Sequence, residues 1–223
     1  MAGRFIVFEG IDTEVLIDQA GELSAWLRSE GLVSTVTREP TDGPFGAQLR
    51  LILSGRLKVD AFTKAALFMT DRMDHLNRQG GVHADLNNGV YVVCIRYLLS
   101  TYAYQNLELR EAAERLFQPV PKALEPLEWL RNINQLCPWP DLVIFIDSTI
   151  ESCLQRVRER EGAEVASQKT LQMRYEQDRA AYHTAIEHCH AWGHKVLIID
   201  GNQPTATIQR LCRQAVIELG VEK

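Results

Sequence analysis

RFIVFEGIDTEVLIDQ, Arg4–Gln19, reads as a short apolar strand, a turn at Gly10 and the first turns of a helix. That layout is the entry to a phosphate-binding loop, whose working pattern is G-x-x-x-x-G-K-[ST]. Here Gly10 is followed by Ile11, Asp12, Thr13 and Glu14, and Val15 stands in place of the second glycine. Leu16 takes the place of the lysine and Ile17 that of the hydroxyl residue. Thr13 and Val15 are β-branched and resist the positive φ that the glycines of such a loop adopt. Leu16 carries no charge and Ile17 has no oxygen for a metal. Glu14 and Asp18 add negative charge to a helix N-terminus that otherwise attracts phosphate.

Outward from this stretch, short β-branched runs alternate with longer helical patterns. The strand candidates are Phe5–Phe8, Ser34–Thr37, Val90–Cys94, Leu142–Ile146 and Val196–Ile199. Several are continuous apolar runs, as expected for strands covered on both faces. Ile150–Arg160 and Thr170–His190 read as helices. The last helix follows Pro204 and carries Ile208, Leu211, Cys212, Ala215, Val216 and Leu219 as one stripe, with Gly220 as its stop. Strand–helix alternation predicts an α/β fold with a parallel sheet and right-handed crossovers.

The 223 residues suit one domain, 1–223, with no repeat and no long linker. A net charge of -5 argues against a nucleic-acid polymer as partner, because phosphate backbones attract basic surfaces. No apolar run approaches the roughly 18 residues of a membrane span. The start MAGRFIVFEG has no signal-peptide layout, so a cytoplasmic location and no membrane attachment are expected. Five scattered cysteines, Cys94, Cys137, Cys153, Cys189 and Cys212, fit reduced thiols better than disulfides.

Six motifs in order resemble the thymidylate kinase family of nucleoside monophosphate kinases. They are FIVFEGID, TREPTDGPFG at Thr37–Gly46, LFMTDRMDHL at Leu67–Leu76, VVCIRYLLSTYAYQ at Val92–Gln105, WPDLVIFID at Trp139–Asp147 and LQRVRER at Leu154–Arg160. The resemblance implies a three-layer P-loop kinase fold, a five-stranded parallel sheet of order 2-3-1-4-5 flanked by helices, and a homodimer. It also implies substrate-side roles. Phe68 matches the ring that stacks on thymine, Arg72 and Arg96 the arginines that hold the monophosphate, and Arg38 and Glu39 the turn bordering sugar and phosphate. Tyr97, Ser100, Tyr104 and Gln105 match the lining of the base and sugar, and Asp12 an acidic residue near the reacting phosphates. A guanidinium suits a phosphate because it is planar, permanently charged and able to give two parallel hydrogen bonds. For each of these residues the plainer alternative is core packing or a solvated surface charge.

The departures fall on one function. In the family the loop lysine bridges the β- and γ-phosphates of ATP and the hydroxyl binds Mg²⁺; here Thr13, Val15, Leu16 and Ile17 hold those places. Ile95 replaces the Asp of the family's Asp-Arg-Tyr segment, and Leu99 a second acidic position. GAEVASQ at Gly162–Gln168 replaces the usual lid, so 160–170 reads as a degenerate lid. Arg156, Arg158 and Arg160 remain there, either to serve a phosphate or as a basic helix face paired with Glu159 and Glu161. Neither a cofactor nor a metal is expected, and ATP with magnesium should bind weakly or not at all.

Residues 106–126 read as an insertion with an amphipathic helix, LREAAERLF, which is either a protein-partner element or a surface helix packed on its own domain. His183, His188, Cys189, His190 and His194 cluster without the spacing of a closed metal set. The expectation is a family member that has lost phosphoryl transfer and kept a pocket for dTMP or a related nucleotide, as sensor or scaffold. The alternatives are an active ATP-dependent dTMP kinase with an atypical loop, and a structural module with a closed pocket.

Overall fold

The computed structural model describes residues 3–117, 121–122, 125–166 and 168–220. Five strands form one parallel sheet: β1 Phe5–Glu9, β2 Ser34–Arg38, β3 Tyr91–Ile95, β4 Leu142–Asp147 and β5 Leu197–Asp200, in the order β2-β3-β1-β4-β5. Val7 lies in register with Cys94 on one side and Val143 on the other. The order and the parallel sense are those implied by the motifs above. Each observed strand lies within about one residue of its expected position, the scatter normal at element ends.

The continuous apolar runs follow from layering, because successive side chains point to opposite faces. Phe5, Val7, Val92, Cys94, Val143 and Phe145 join one buried cluster. Ile6, Phe8, Val93, Ile95, Ile144 and Ile146 join the other. The second face is covered by α1, Thr13–Ser29, and by α11, Thr205–Glu218. In α1, Leu16, Ala20, Leu23 and Leu27 recur at helical spacing and are fully buried. In α11 the expected stripe holds at Ile208, Cys212 and Val216.

The first face carries α3, Ala61–Asn77, and α10, Lys169–Ala191, with a composite helix that follows β3. That helix runs as α5 Leu98–Ser100, a π-helical stretch Thr101–Gln105 and α6 Asn106–Leu116. π-Helical turns are rare and gather at functional sites. The remaining helices are α2 Pro44–Leu53, α4 Val82–Asn87, α7 Pro126–Ile133, α8 Ile150–Glu161 and α9 Ala163–Ala166.

Helix α6 contains the amphipathic helix expected in 106–126, with Leu109, Ala112 and Ala113 buried and Leu116 exposed instead of joining them. Residues 118–120 and 123–124 of that segment lie outside the described residues. All five cysteines are free and buried. Among the described residues no helix is long and apolar enough to cross a membrane.

Candidate functional site

Parallel α/β sheets bind ligands beyond the carboxyl ends of their strands, where neighbouring strands send their helices to opposite faces. Here that point lies between β1, which leads to α1, and β4, which leads to α8 on the other face. A recess of about 230 Å³ lies there, between the loop after β1 and α8, and beside it a cleft of about 740 Å³ opens beyond the carboxyl ends of β1, β2 and β3.

The turn after β2 supplies one wall. Arg38 is exposed at the rim and pairs with Asp42 at 2.8 Å. Glu39 is buried, and its carboxylate accepts from Arg72 Nε at 2.9 Å and faces His75 Nδ1 at 3.2 Å. Asp71 fixes the next residues by accepting from Thr41 N and Thr41 Oγ1 at 2.8 and 2.6 Å. Asp71, Arg72 and His75 stand on one face of α3, so one helix anchors the whole turn.

Arg72 lines the cleft floor, yet it is 1% exposed and its donors are already engaged. Nη1 donates to Asn134 Oδ1 at 2.6 Å, and Nη2 to Thr101 Oγ1 at 3.0 Å and to the Tyr97 carbonyl at 3.4 Å. Its guanidinium also lies 5.0 Å from the centre of the Tyr97 ring. Tyr97 is buried against Phe5. Phe68, half-buried, and Gln105, in the π-helical stretch, line the cleft near the floor. Phe68→Ala is expected to weaken binding of a stacked base by about 1–3 kcal/mol, readable by calorimetric titration.

Arg96 sits differently. It has φ +65, the only positive value among the described non-glycine residues, in a region that side chains disfavour and that functional sites retain. Its guanidinium donates to three hydroxyls: Tyr182 at 2.9 Å, Tyr104 at 3.2 Å and Thr13 at 2.8 Å. Among the described residues it has no carboxylate within 4 Å, unlike Arg38, Arg50, Lys64, Arg72 and Arg174, the other cleft cations with acidic partners. A guanidinium on neutral hydroxyls keeps its charge for an incoming anion.

Behind Arg96 lies Glu9, fully buried at the end of β1. Its carboxylate accepts from Tyr97 N at 2.8 Å, Ser100 N at 3.2 Å, Ser100 Oγ at 2.5 Å and Tyr182 OH at 3.1 Å. Burial pushes this carboxyl above its ordinary range, and the Ser100 hydroxyl and Arg96 pull it back part-way. Sequence reasoning missed Glu9, Thr13 as an Arg96 partner, Tyr182, His75 and Asn134. A signal for Glu9 was present, since a carboxylate inside an apolar strand requires partners.

The recess holds the loop that opened the sequence. Gly10 is required there, because a Cβ would lie 2.7 Å from the Ile146 carbonyl. Asp12 caps α1, accepting from Val15 N at 3.4 Å, and pairs with Arg156 Nε at 2.5 Å. Glu14 pairs with Arg160 at 2.5 Å. Val15 packs partly buried against the second cluster, and Ile17 is exposed at the cleft edge. Arg158 bonds Gln155 on its own helix at 3.1 Å and lines neither the cleft nor the recess.

Leu16, at the lysine position, is fully buried in the second cluster. Ile95, at the acidic position, lies buried at the end of β3. A triphosphate with magnesium does not fit these residues. Two carboxylates occupy the loop, its lysine position is core, and no hydroxyl stands at position 17. Leu16→Lys is expected to lose on the order of 3 kcal/mol of stability or more, because it would bury an unpaired ammonium. Urea denaturation would read the loss.

The histidine cluster disperses. His183 faces Asp147 at 3.2 Å, His188 stacks on Trp192 and His194 on Trp139. Cys189 is buried, and among the described residues no three His, Cys, Asp or Glu gather to hold a metal.

Comparison with known proteins follows the same lines. The sequence model of the family described as thymidylate kinase matches residues 8–211. A probable thymidylate kinase of Pyrococcus abyssi is 33% identical over 165 residues, covering 72% of this chain and 72% of that protein. The thymidylate kinase of Desulfotalea psychrophila is 31% identical over 165 residues, 73% of this chain and 72% of its own. In fold, the structure of thymidylate kinase from Candida albicans superposes with a TM-score of 0.73 at 19% identity, covering 97% of this chain and 92% of that one.

Proposed function

The chain belongs to the thymidylate kinase family, and on that premise we propose that it binds a nucleoside monophosphate of the dTMP type and does not transfer phosphate to it. One observation carries this reading. On the monophosphate side Arg96 is held on hydroxyls and open to an anion. On the donor side Asp12 and Glu14 already pair with Arg156 and Arg160.

Phosphoryl transfer depends on stabilising the charge of the donor phosphates with a lysine, a metal and backbone donors. Leu16, Ile17 and Ile95 supply none of that stabilisation. Binding a monophosphate needs less: a cation for the phosphate, a flat side chain for the base and polar groups for the sugar. Arg96, Phe68, Ser100, Tyr104 and Gln105 meet those needs around one cleft. This division supports a ligand-responsive sensor or scaffold, and the homodimer in this proposal rests on the family resemblance alone.

An active dTMP kinase is the second reading, and the names of the aligned relatives favour it. Separate calorimetric titrations with dTMP and with ATP plus Mg²⁺ discriminate. Our reading expects saturable dTMP binding and no ATP binding of comparable strength. Equal binding of both, or of ATP alone, would refute it.

A further inference from the structure

We propose that Asp12 and Glu14 are specificity-determining residues which restrict the cleft to a single phosphate. The inference rests on reading the cleft as a monophosphate site and adds what limits the ligand's length.

The recess and the cleft adjoin, sharing Ile11, Thr13, Ile17 and Tyr175 in their walls. Thr13 marks the border, because its hydroxyl takes a hydrogen bond from Arg96 at 2.8 Å. A phosphate on Arg96 therefore sits beside Thr13, and any second phosphate extending past it enters the recess. There it meets Asp12 and Glu14, which flank Thr13 in the chain.

Both carboxylates are pinned. Asp12 is tied to Arg156 at 2.5 Å and to Val15 N at 3.4 Å, and Glu14 to Arg160 at 2.5 Å. Two cations that could have received a phosphate chain are thus neutralised by two anions of the protein. Asp12 also takes up a backbone donor at the start of α1, where an anion would otherwise gain from the helix dipole. Arg156 Nη2 is buried without a partner among the described residues. It is a donor that could take an anion once the carboxylates lose their charge.

The test uses the full chain and its D12N/E14Q variant, titrated calorimetrically with inorganic tripolyphosphate, dTMP and dTDP. Asparagine caps a helix as well as aspartate does, so the fold should persist, and circular dichroism checks it. Should the double variant fail to fold, E14Q alone carries the test, since Glu14 is about half exposed. The unaltered protein is expected to bind no tripolyphosphate at about 1 mM and to prefer dTMP over dTDP by about 100-fold. The variant should bind tripolyphosphate and narrow that preference by roughly tenfold or more. Tripolyphosphate binding by the unaltered protein, equal affinity for dTMP and dTDP, or a folded variant that gains nothing would each overturn the proposal. Absence of dTMP binding, with tripolyphosphate binding gained only in the variant, would overturn the monophosphate reading and leave the role of the carboxylates supported.

Discussion

Replacing Arg72 with alanine is expected to cost about 3–5 kcal/mol of stability, the range found when one partner of a buried ion pair is removed. For a chain of this size that lowers the melting temperature by about 10 °C. The reason is positional. Arg72 and Glu39 are both nearly inaccessible, and the guanidinium also satisfies Asn134, Thr101 and the Tyr97 carbonyl. Without it, a carboxylate and an amide oxygen stay buried and lose their strongest donor. Lysine cannot reproduce the fork and should recover only part of the loss. Thermal unfolding followed by circular dichroism would measure both. A shift under about 3 °C for the alanine variant would mean that Arg72 is not a structural pin, and would leave its guanidinium free for a ligand.

Arg96 should behave in the opposite way. Exchange for glutamine is expected to weaken dTMP binding by about 10- to 100-fold, since a charge-assisted hydrogen bond contributes about 1.5–3 kcal/mol. The effect of the glycine variant, Arg96→Gly, on stability should be small. Glycine at this position relieves the strain of φ +65, by about 1–2 kcal/mol, and this offsets the hydrogen bonds lost to Tyr104, Tyr182 and Thr13. A melting temperature within about 4 °C of the unaltered protein is therefore expected for Arg96→Gly. The pair of experiments separates two arginines that look alike in the chain. A large loss of stability at Arg96 with unchanged dTMP affinity would assign it to the scaffold instead.

The fold was legible because its strands are continuous apolar runs bounded by turns, and because six motifs fall in order. Strand order followed from the resemblance, since local periodicity does not say which strands are neighbours. The site was legible in part. Arg96, Phe68, Ser100, Tyr104 and Gln105 were named from sequence, and they line one cleft. The engagement of Arg72 was not visible, because its partners at positions 39, 97 and 101, and 134 come from three separate segments.

The pairing of Asp12 and Glu14 with the lid arginines was hidden for the same reason. Asp12 and Arg156 are 144 positions apart. From sequence, the arginines of α8 fitted either an incoming phosphate or a helix face paired with its own glutamates. The structure places Arg156 on Asp12, and Arg160 on both Glu14 and its neighbour Glu161. Glu9 and Tyr182 joined the site only in three dimensions, through the hydroxyl that links the buried carboxylate to Arg96.

The central claim is that the monophosphate half of the site is kept while the chemistry of transfer is lost. The most direct measurement is transfer of labelled γ-phosphate from ATP to dTMP in the presence of Mg²⁺, with protein in excess over dTMP. The account predicts no labelled dTDP above a protein-free control. Formation of labelled dTDP in proportion to protein concentration would contradict it.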